Sequence, residues 1–216
     1  MNENAMTDRM TAWALAREDI TTANRRDPAC PGPLVVALSY QGVHAVWYHR
    51  VANRWWRKGH RSWARLLSQF ARRRTGIEIH PGAHIGRRVF IDHGRGVVIG
   101  ETAVVGNDVL LFHGVTLGGT TMSHGKRHPT VGDRVVVGAG AKILGPVYIG
   151  CDARIGSNAV VVKDVPNGAT AVGIPAVIRE HPNYLEAHTA ASSVDDGDAH
   201  VRVEENKQRE PAMYYI

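Results

Sequence analysis

The sequence predicts an α+β protein in which a helical N-terminal domain, residues 1–75, precedes a solenoid of short β-strands, residues 76–179. Two observations predict the solenoid: aliphatic residues recur at every sixth position in three runs, and glycine directly follows eight of them. A repeat this short and persistent is typical of a repeat architecture. The repeated positions are Ile79, Ile85, Ile91 and Val97; Ile99, Val105, Leu111 and Leu117; and Val131, Val137, Ile143, Ile149, Ile155 and Val161.

The six-residue period excludes an α-helix. Six residues advance a helix by about 600°, so successive repeats would lie on opposing faces. In an extended chain an even period keeps every repeat on one face, and glycine permits the recurring corner because it has no Cβ. Each repeat is therefore predicted to be a short strand and a turn, and the coils stack to bury the aliphatic ladder.

The N-terminal domain is predicted to hold three helices. Helical spacing of apolar residues covers residues 7–24, with Asp8 as a cap, then residues 34–58 and residues 61–74. Proline and glycine break the pattern between the first two. We expect this domain to cap the open end of the coil stack and to join subunits.

Composition and charge limit the function classes. The chain has 216 residues, 44% of them hydrophobic, and no apolar run near the roughly 20 residues of a membrane span. Its polar N-terminus and two cysteines, Cys30 and Cys151, lead us to expect a cytoplasmic protein with free thiols and no membrane partner.

A net charge of +6 raises the question of nucleic acid. Basic residues and three tryptophans interleave between Arg50 and Arg74, but no nucleic-acid motif accompanies them. We interpret this segment as helices with a solvated basic face and inward-packed tryptophans, and we expect no nucleic-acid partner.

Two loops interrupt the six-residue period and are the candidate functional segments, since loops on a rigid scaffold carry function. The first is Asp92–Gly96 and the second is Gly119–Thr130, and both are rich in glycine and histidine. His93 follows an aspartate in the first loop, and a neutral imidazole is the usual general base for a hydroxyl.

Residues 180–216 are predicted to form a flexible tail. Large apolar residues are scarce between 186 and 211, whereas the last four residues, MYYI, are apolar. Such an end on a flexible tether is suited to docking in a groove of a partner.

Several blocks of the chain resemble the serine O-acetyltransferase family. They occur in family order and are RDPA (26–29), GIEIHPGA (76–83), IDHG (91–94), VIGET (98–102), GVTLGGT (114–120), KRHP (126–129), GAGAKILG (138–145) and GIPA (173–176). The resemblance implies a left-handed parallel β-helix of hexapeptide repeats, assembled as a homotrimer or a dimer of trimers. It also implies transfer of an acetyl group from acetyl-CoA to the hydroxyl of L-serine in cysteine biosynthesis, with no metal.

The resemblance assigns roles to five residues around serine. His93 matches the general base, and Glu78 matches its acidic partner, which is aspartate in many members. Arg127 matches the ligand of the serine carboxylate. Asp27 and Asp92 match the acids around the serine amino group.

Further assignments concern the second substrate and a partner protein. His128 is expected to help bind the carboxylate or the oxyanion. The positions that match the family's acetyl-CoA contacts are Gly118, Gly119, Ala139, Gly140 and Ser157, with Lys142 and Lys163 as candidate phosphate ligands. Ile216 matches the C-terminal isoleucine that, in the family, inserts into O-acetylserine sulfhydrylase.

Two other enzymes of the same fold are alternatives. One is an acetyltransferase with another acceptor, such as homoserine or an amino-sugar. The other is a γ-class carbonic anhydrase, for which His80, His84 and His113 would bind zinc, but this reading leaves the acetyltransferase blocks unexplained.

Overall fold

The computed structural model describes residues 11–180. Asp8, nearly all of the predicted tail and Ile216 lie outside the described residues. The last described helix ends at Thr75 and the strands run from Glu78 to Arg179. Within residues 11–180, no helix combines the length and the apolar character needed to cross a membrane.

In the described part of the chain, four helices come first: α1 (Ala12–Arg26), α2 (Pro33–Ser39), α3 (Gln41–Arg57) and α4 (Arg61–Thr75). The hydroxyl of Thr11 accepts a hydrogen bond from the N–H of Ala14 and caps α1. α1 runs two residues beyond the predicted end at Asn24. α2 begins at a proline, whose fixed φ suits a first helical position.

The prediction of one helix over residues 34–58 is wrong. The chain breaks at Tyr40, whose φ of −78° and ψ of 103° are extended, so that α2 and α3 are separate. A tertiary contact accounts for the break. α3 lies so close to the solenoid that a Cβ at Gly42 would be 2.0 Å from the carbonyl oxygen of Ile91.

The prediction that three tryptophans pack inward is wrong for Trp55 and Trp63, whereas Trp56 is half-buried with its ring centroid 5.0 Å from that of His80. Trp63 is 66% exposed and Trp55 37% exposed. α4 instead buries small residues, and the Ser68 hydroxyl donates to the carbonyl oxygen of Ile79 at 2.9 Å. Because small side chains let the helix approach the first coil closely, the larger apolar residues Leu66 and Phe70 also point outward.

Between residues 11 and 180, fifteen short strands form three sheets, one along each side of a triangular coil. Sheet 1 contains β1 (Glu78–Ile79), β4 (Val98–Ile99), β7 (Thr116–Gly118), β10 (Lys142–Leu144) and β13 (Val160–Val161). Sheet 2 contains β2 (His84–Ile85), β5 (Val104–Val105), β8 (Thr130–Val131) and β11 (Tyr148–Ile149). Sheet 3 contains β3 (Phe90–Ile91), β6 (Leu110–Leu111), β9 (Val136–Val137), β12 (Arg154–Ile155), β14 (Thr170–Val172) and β15 (Val177–Arg179).

The strand register places the six-residue repeats directly above one another. In sheet 1, Ile79 pairs with Ile99 and Ile99 with Leu117, and every strand pair is parallel except β14 with β15. Thirteen of the fourteen repeat positions are at most 5% exposed, and Ile85 is half-buried. The predicted aliphatic ladder is therefore the core of the protein.

A network of ion pairs joins α1 to the corner between sheets 2 and 3. The carboxylate of Glu18 accepts hydrogen bonds from Arg87 at 2.6 and 3.1 Å, and Arg88 forms a bidentate pair with Asp108 at 2.7 Å. Arg26, the last residue of α1, donates to the carbonyl oxygen of Asp108 at 2.8 Å. These contacts fix the C-terminal end of α1 beside the solenoid.

His49 in α3 is buried, and its Nδ1 has no hydrogen-bond partner among residues 11–180. Burial, together with the nearby charge of Arg50, lowers the pKa of His49 to about 3. The unfolded chain therefore takes up a proton at a higher pH than the folded protein. The stability contributed by neutral His49 is complete above about pH 6.5 and is lost as the pH falls towards 3.

Replacing His49 with glutamine should remove much of this acid sensitivity. Between pH 7 and pH 5, we expect the free energy of unfolding of His49→Gln to fall by about 2 kcal/mol less than that of the wild type. Urea unfolding at the two pH values measures the difference. The exposed His60 supplies the control His60→Gln, which should behave as wild type. The prediction would be contradicted if the free energy of unfolding of His49→Gln fell between pH 7 and pH 5 by as much as that of the wild type.

Candidate active site

A cleft of about 310 Å³ lies between the helices and the corner where sheet 3 leads into sheet 1, here called the 3–1 corner. It brings together three of the residues singled out in the sequence, Asp27, Asp92 and His93. The other residues that line it are Ser39, Tyr40, Gln41, Gly42, Ile91 and Gly94. The cleft exists because the break at Tyr40 lets α3 approach the end of β3.

Asp92 and His93 are held by the end of β3. The N–H of Asp92 donates to the carbonyl oxygen of Leu111 at 2.8 Å, which continues the strand pairing by one residue. His93 then adopts a left-handed conformation, with φ of 49°, and its side chain is 81% exposed. The closest described carboxylate oxygen to its Nε2 is Oδ1 of Asp92, at 3.7 Å. The imidazole is thus presented outward from a rigid turn.

Asp27 reaches the same cleft from the C-terminal end of α1. Its carboxylate accepts hydrogen bonds from the N–H of Ala29 at 2.8 Å and from the hydroxyl of Tyr40. The Tyr40 hydroxyl, followed by the Ala29 N–H, lowers the pKa of Asp27. Burial raises the pKa of Asp92, and the charge of Asp27 adds to that shift, although His93 opposes it. Two acids of different proton affinity therefore flank the imidazole.

Glu78 is not in contact with His93 in this structure. Its carboxylate forms an ion pair with Arg72 at 3.2 Å, and no hydrogen bond within residues 11–180 joins it to the imidazole. Asp92 is the acid beside His93 instead. The assignment of Glu78 as the acidic partner stays a prediction.

Arg127 and His128 belong to a second cluster, at the corner where sheet 1 leads into sheet 2, here called the 1–2 corner. Arg127 pairs with the carboxylate of Glu101 at 2.8 Å. The N–H and hydroxyl of Thr102 lie 3.2 and 2.9 Å from Nδ1 of His128. The His128 ring lies on Gly100, where a Cβ would come within 2.0 Å of it.

The charge environment of His128 favours its neutral form. Burial, followed by the charges of Arg127 and Lys126 against that of Glu101, lowers the pKa of His128. A neutral imidazole can donate from one ring nitrogen while the other accepts. Because Thr102 already contacts Nδ1, the free position of this ring is Nε2.

The two clusters lie at opposite edges of sheet 1. A strand rises about 3.3 Å per residue, so the four residues from Val97 to Glu101 separate the edges by roughly 13 Å. A molecule as small as an amino acid cannot contact both edges of one chain. A single chain therefore brings together Asp27, Asp92 and His93, but it places Arg127 and His128 at a different corner.

The predicted acetyl-CoA residues are divided in the same way. Ala139, Gly140 and Ser157 lie at the 3–1 corner on successive coils, where the N–H of Asn158 donates to the carbonyl oxygen of Ala139 at 2.8 Å. Their small side chains leave the backbone of this edge accessible, as a thin acyl-chain ligand requires. The remaining assigned residues are Gly118, Gly119 and Lys163 towards the 1–2 corner, and Lys142 on sheet 1, where its Nζ donates to the carbonyl oxygen of Gly114.

The carbonic anhydrase alternative requires three imidazoles that converge on one metal ion. Within residues 11–180, no cluster of three or more His, Cys, Asp or Glu side chains is arranged to hold a metal ion. His80 follows β1 at the 1–2 corner, whereas His113 follows β6 at the 3–1 corner. Within one chain, these two imidazoles do not converge.

Two residues of the site were not assigned roles from the sequence. Tyr40, which bonds to Asp27, carried no signal beyond its place in a helical pattern. Glu101, which pairs with Arg127, lies in the VIGET block, so its position was quoted without a role. Their roles depend on contacts between segments that are distant in sequence.

Comparison with known proteins defines the class and then the family. A family model described as bacterial transferase hexapeptide (six repeats) matches residues 128–163. A serine acetyltransferase of Mycobacterium tuberculosis is 62% identical over 162 residues, which cover 75% of this chain and 71% of that protein. The β-helix is thus that of a hexapeptide-repeat transferase.

Solved structures give the same result. The serine acetyltransferase of Neisseria gonorrhoeae in complex with serine superimposes with a TM-score of 0.75 at 40% identity, covering 81% of this chain and 72% of that one. A serine acetyltransferase in complex with CoA gives a TM-score of 0.75 at 41% identity, covering 82% and 73%. This chain belongs to the serine acetyltransferase family. The predicted fold, helices followed by a left-handed parallel β-helix, is confirmed.

Proposed function

We propose that this protein transfers the acetyl group of acetyl-CoA to the hydroxyl of L-serine, giving O-acetyl-L-serine for cysteine biosynthesis. The observation that carries the proposal is the cleft in which the exposed imidazole of His93 stands beside Asp92 and opposite Asp27. Membership of the serine acetyltransferase family supplies the acyl donor and the acceptor.

The proposed reaction uses His93 as a general base and then as a general acid. Its imidazole takes the proton of the serine hydroxyl as that oxygen attacks the thioester carbonyl. When the C–S bond breaks, the same imidazole returns the proton to the departing thiolate of CoA. A positioned base of this kind contributes about 10²–10⁴ in rate.

The charged ends of serine require partners of opposite charge. We assign the ammonium to Asp27 and Asp92, the carboxylates that line the cleft. We assign the carboxylate to Arg127, because a guanidinium can bind it bidentately, and to Nε2 of His128. We propose that Glu78 orients His93, which requires its carboxylate to leave the ion pair that it forms with Arg72.

We infer that the complete site forms between subunits of a homotrimer. The cluster of Asp27, Asp92 and His93 and the cluster of Arg127 and His128 occupy opposite edges of sheet 1. Threefold packing of the prism around an axis brings the 3–1 corner of one protomer to the 1–2 corner of its neighbour. The divided acetyl-CoA residues, including Gly119 and Lys163, fit the same arrangement.

The exposed apolar side chains of the helical domain support pairing of two trimers. Trp13, Trp63, Leu66 and Phe70 are half or more exposed. An apolar surface of this kind on a soluble domain indicates a protein interface.

We also propose the domain limits 1–75, 76–179 and 180–216, and a cytoplasmic location.

Acceptor profiling tests the proposed function. Release of free CoA thiol from acetyl-CoA is measured with L-serine, L-homoserine and a hexosamine as acceptors. We expect turnover with L-serine to exceed that with the other two by at least about tenfold in kcat/KM, because the ammonium and carboxylate partners are fixed relative to His93. A higher kcat/KM with L-homoserine or with the hexosamine would contradict the proposal and identify that compound as the acceptor.

Ile216 and the residues before it are proposed to dock in O-acetylserine sulfhydrylase. This proposal rests on the family resemblance, since the segment lies outside the described residues. Deleting residues 213–216 should abolish binding of the sulfhydrylase in a pull-down or calorimetric titration while leaving serine acetylation unchanged. Undiminished binding by the truncated protein would contradict it.

A further inference from the structure

Tyr40 is the residue at which the chain breaks between α2 and α3. Its backbone N–H closes α2 by donating to the carbonyl oxygen of Val36, and its own carbonyl oxygen accepts from the N–H of His44 in α3. Its side chain packs against an apolar cluster formed by Ala23, Val36, Val43 and Phe90. The backbone break and this packing together fix where the hydroxyl of Tyr40 lies.

That hydroxyl donates a hydrogen bond to Oδ2 of Asp27 at the edge of the cleft. Among the residues that the structure describes, Oδ1 of the same carboxylate accepts a hydrogen bond only from the N–H of Ala29. No basic side chain within residues 11–180 forms an ion pair with Asp27. Each carboxylate oxygen therefore has one neutral donor and keeps a lone pair for a further ligand.

The location of Asp27 makes the Tyr40 hydrogen bond important. Asp27 is the C-terminal cap of α1, a helix of 15 residues. The C-terminal end of a helix carries partial negative charge, which disfavours an anion and favours a cation. Without a donor, the carboxylate would be free to rotate away from this end. The hydrogen bond from Tyr40 holds the ionised carboxylate at the helix end, where the partial negative charge of the helix also attracts a positively charged ligand.

We propose that Tyr40 is a positioning residue that orients the carboxylate of Asp27 towards the ammonium of the acceptor substrate. The inference rests on the proposed function, because it takes serine as the acceptor. It adds to that function a determinant of amino-group recognition on the helical domain. Tyr40 acts through Asp27 and does not itself touch the reacting atoms.

Steady-state kinetics of Tyr40→Phe, Asp27→Asn and the double variant test this role. The ring of phenylalanine keeps the packing and removes only the hydroxyl. For Tyr40→Phe we expect KM for L-serine to rise about tenfold, the range for loss of a hydrogen bond to a charged group. kcat and KM for acetyl-CoA should stay within about twofold. The double variant should lose no more than Asp27→Asn alone.

A serine analogue without the amino group separates this role from a general disturbance of the cleft. The inhibition constant of 3-hydroxypropionate, measured against L-serine, should be the same for Tyr40→Phe and wild type. Tyr48 provides a matched control, since it lies in α3 with its ring edge on Phe70, and Tyr48→Phe should match wild type in every constant.

Three results would overturn the inference. An unchanged KM for L-serine in Tyr40→Phe would show that the hydroxyl is not needed. Losses that multiply in the double variant would show that Tyr40 acts independently of Asp27. Weaker binding of 3-hydroxypropionate would show a general distortion of the site. An absence of L-serine turnover in the wild type would instead refute the proposed function.

Discussion

Replacing His93 with alanine is expected to lower kcat by about 10²–10⁴, because the variant has no group to take the proton of the attacking hydroxyl. The loss should appear in kcat and in kcat/KM for L-serine to a similar degree, since the imidazole acts in the transition state. The affinity for acetyl-CoA should change little, because the residues assigned to that ligand lie on later coils. Thiol release and equilibrium binding of CoA measure the two effects.

His60→Ala is the matched control for this experiment. His60 is exposed and precedes α4, away from the cleft, so its replacement should leave kcat unchanged. A His93→Ala variant whose kcat stays within about fivefold of wild type would contradict the assignment of the base. If His93→Ala also lost affinity for CoA, the substitution would have displaced the loop Asp92–Gly96, and the fall in kcat could not be assigned to the missing base.

Replacing Arg127 with alanine is expected to raise KM for L-serine by about 10²-fold, since it removes a charged, bidentate partner of the substrate carboxylate. kcat at saturating serine should fall much less. Arg127→Lys should recover only part of the loss, because an ammonium cannot reproduce the two parallel hydrogen bonds of a guanidinium. Initial rates over a wide range of serine concentration measure both constants.

Arg134→Ala is a control with the same change of charge. Arg134 forms a bidentate pair with Asp152 at 2.7 Å, at the corner between sheets 2 and 3. Its removal should leave KM for serine unchanged. If Arg127→Ala and Arg134→Ala raised KM equally, the effect of Arg127 would be one of net charge, and its role as a carboxylate ligand would be wrong.

The β-helix could be predicted from the sequence because its physical cause is local and repeated. A six-residue period in extended chain specifies both the buried face and the register, and the pairs Ile79–Ile99 and Ile99–Leu117 follow it. The break at Tyr40 could not be predicted in this way. The helical spacing continues through it, and the close contact of Gly42 with Ile91 that separates α2 from α3 joins residues far apart in sequence.

The exposed tryptophans show a second limit of pattern reasoning. An apolar stripe indicates which face of a helix prefers to be covered, but it does not say what covers it. In α4 the buried residues include Ala64, Ser68 and Ala71, and the hydroxyl of Ser68 donates to the carbonyl oxygen of Ile79 in the first coil. The larger face with Trp63 is left for another partner, which we propose to be a second trimer.

The family resemblance assigned roles to individual residues of the candidate site, but it did not say how those residues lie relative to one another. His93, Asp92 and Asp27 converge as expected, because one loop and one helix end meet at the cleft. The KRHP block assigns Arg127 to the same site, but the sequence does not say whether Arg127 and His93 of one chain can contact one serine molecule. The structure adds the distance between the two clusters, which lie at opposite edges of sheet 1.

Mixed trimers provide the most direct test of the shared site. His93→Ala and Arg127→Ala chains, differently tagged, are co-expressed, and trimers that carry both tags are isolated and assayed at subsaturating serine. In a cyclic trimer that carries both kinds of chain, one of the three sites between subunits has both wild-type residues, so we predict about a third of wild-type activity. Activity no higher than that of the two variants measured separately would contradict a site built from both edges of sheet 1.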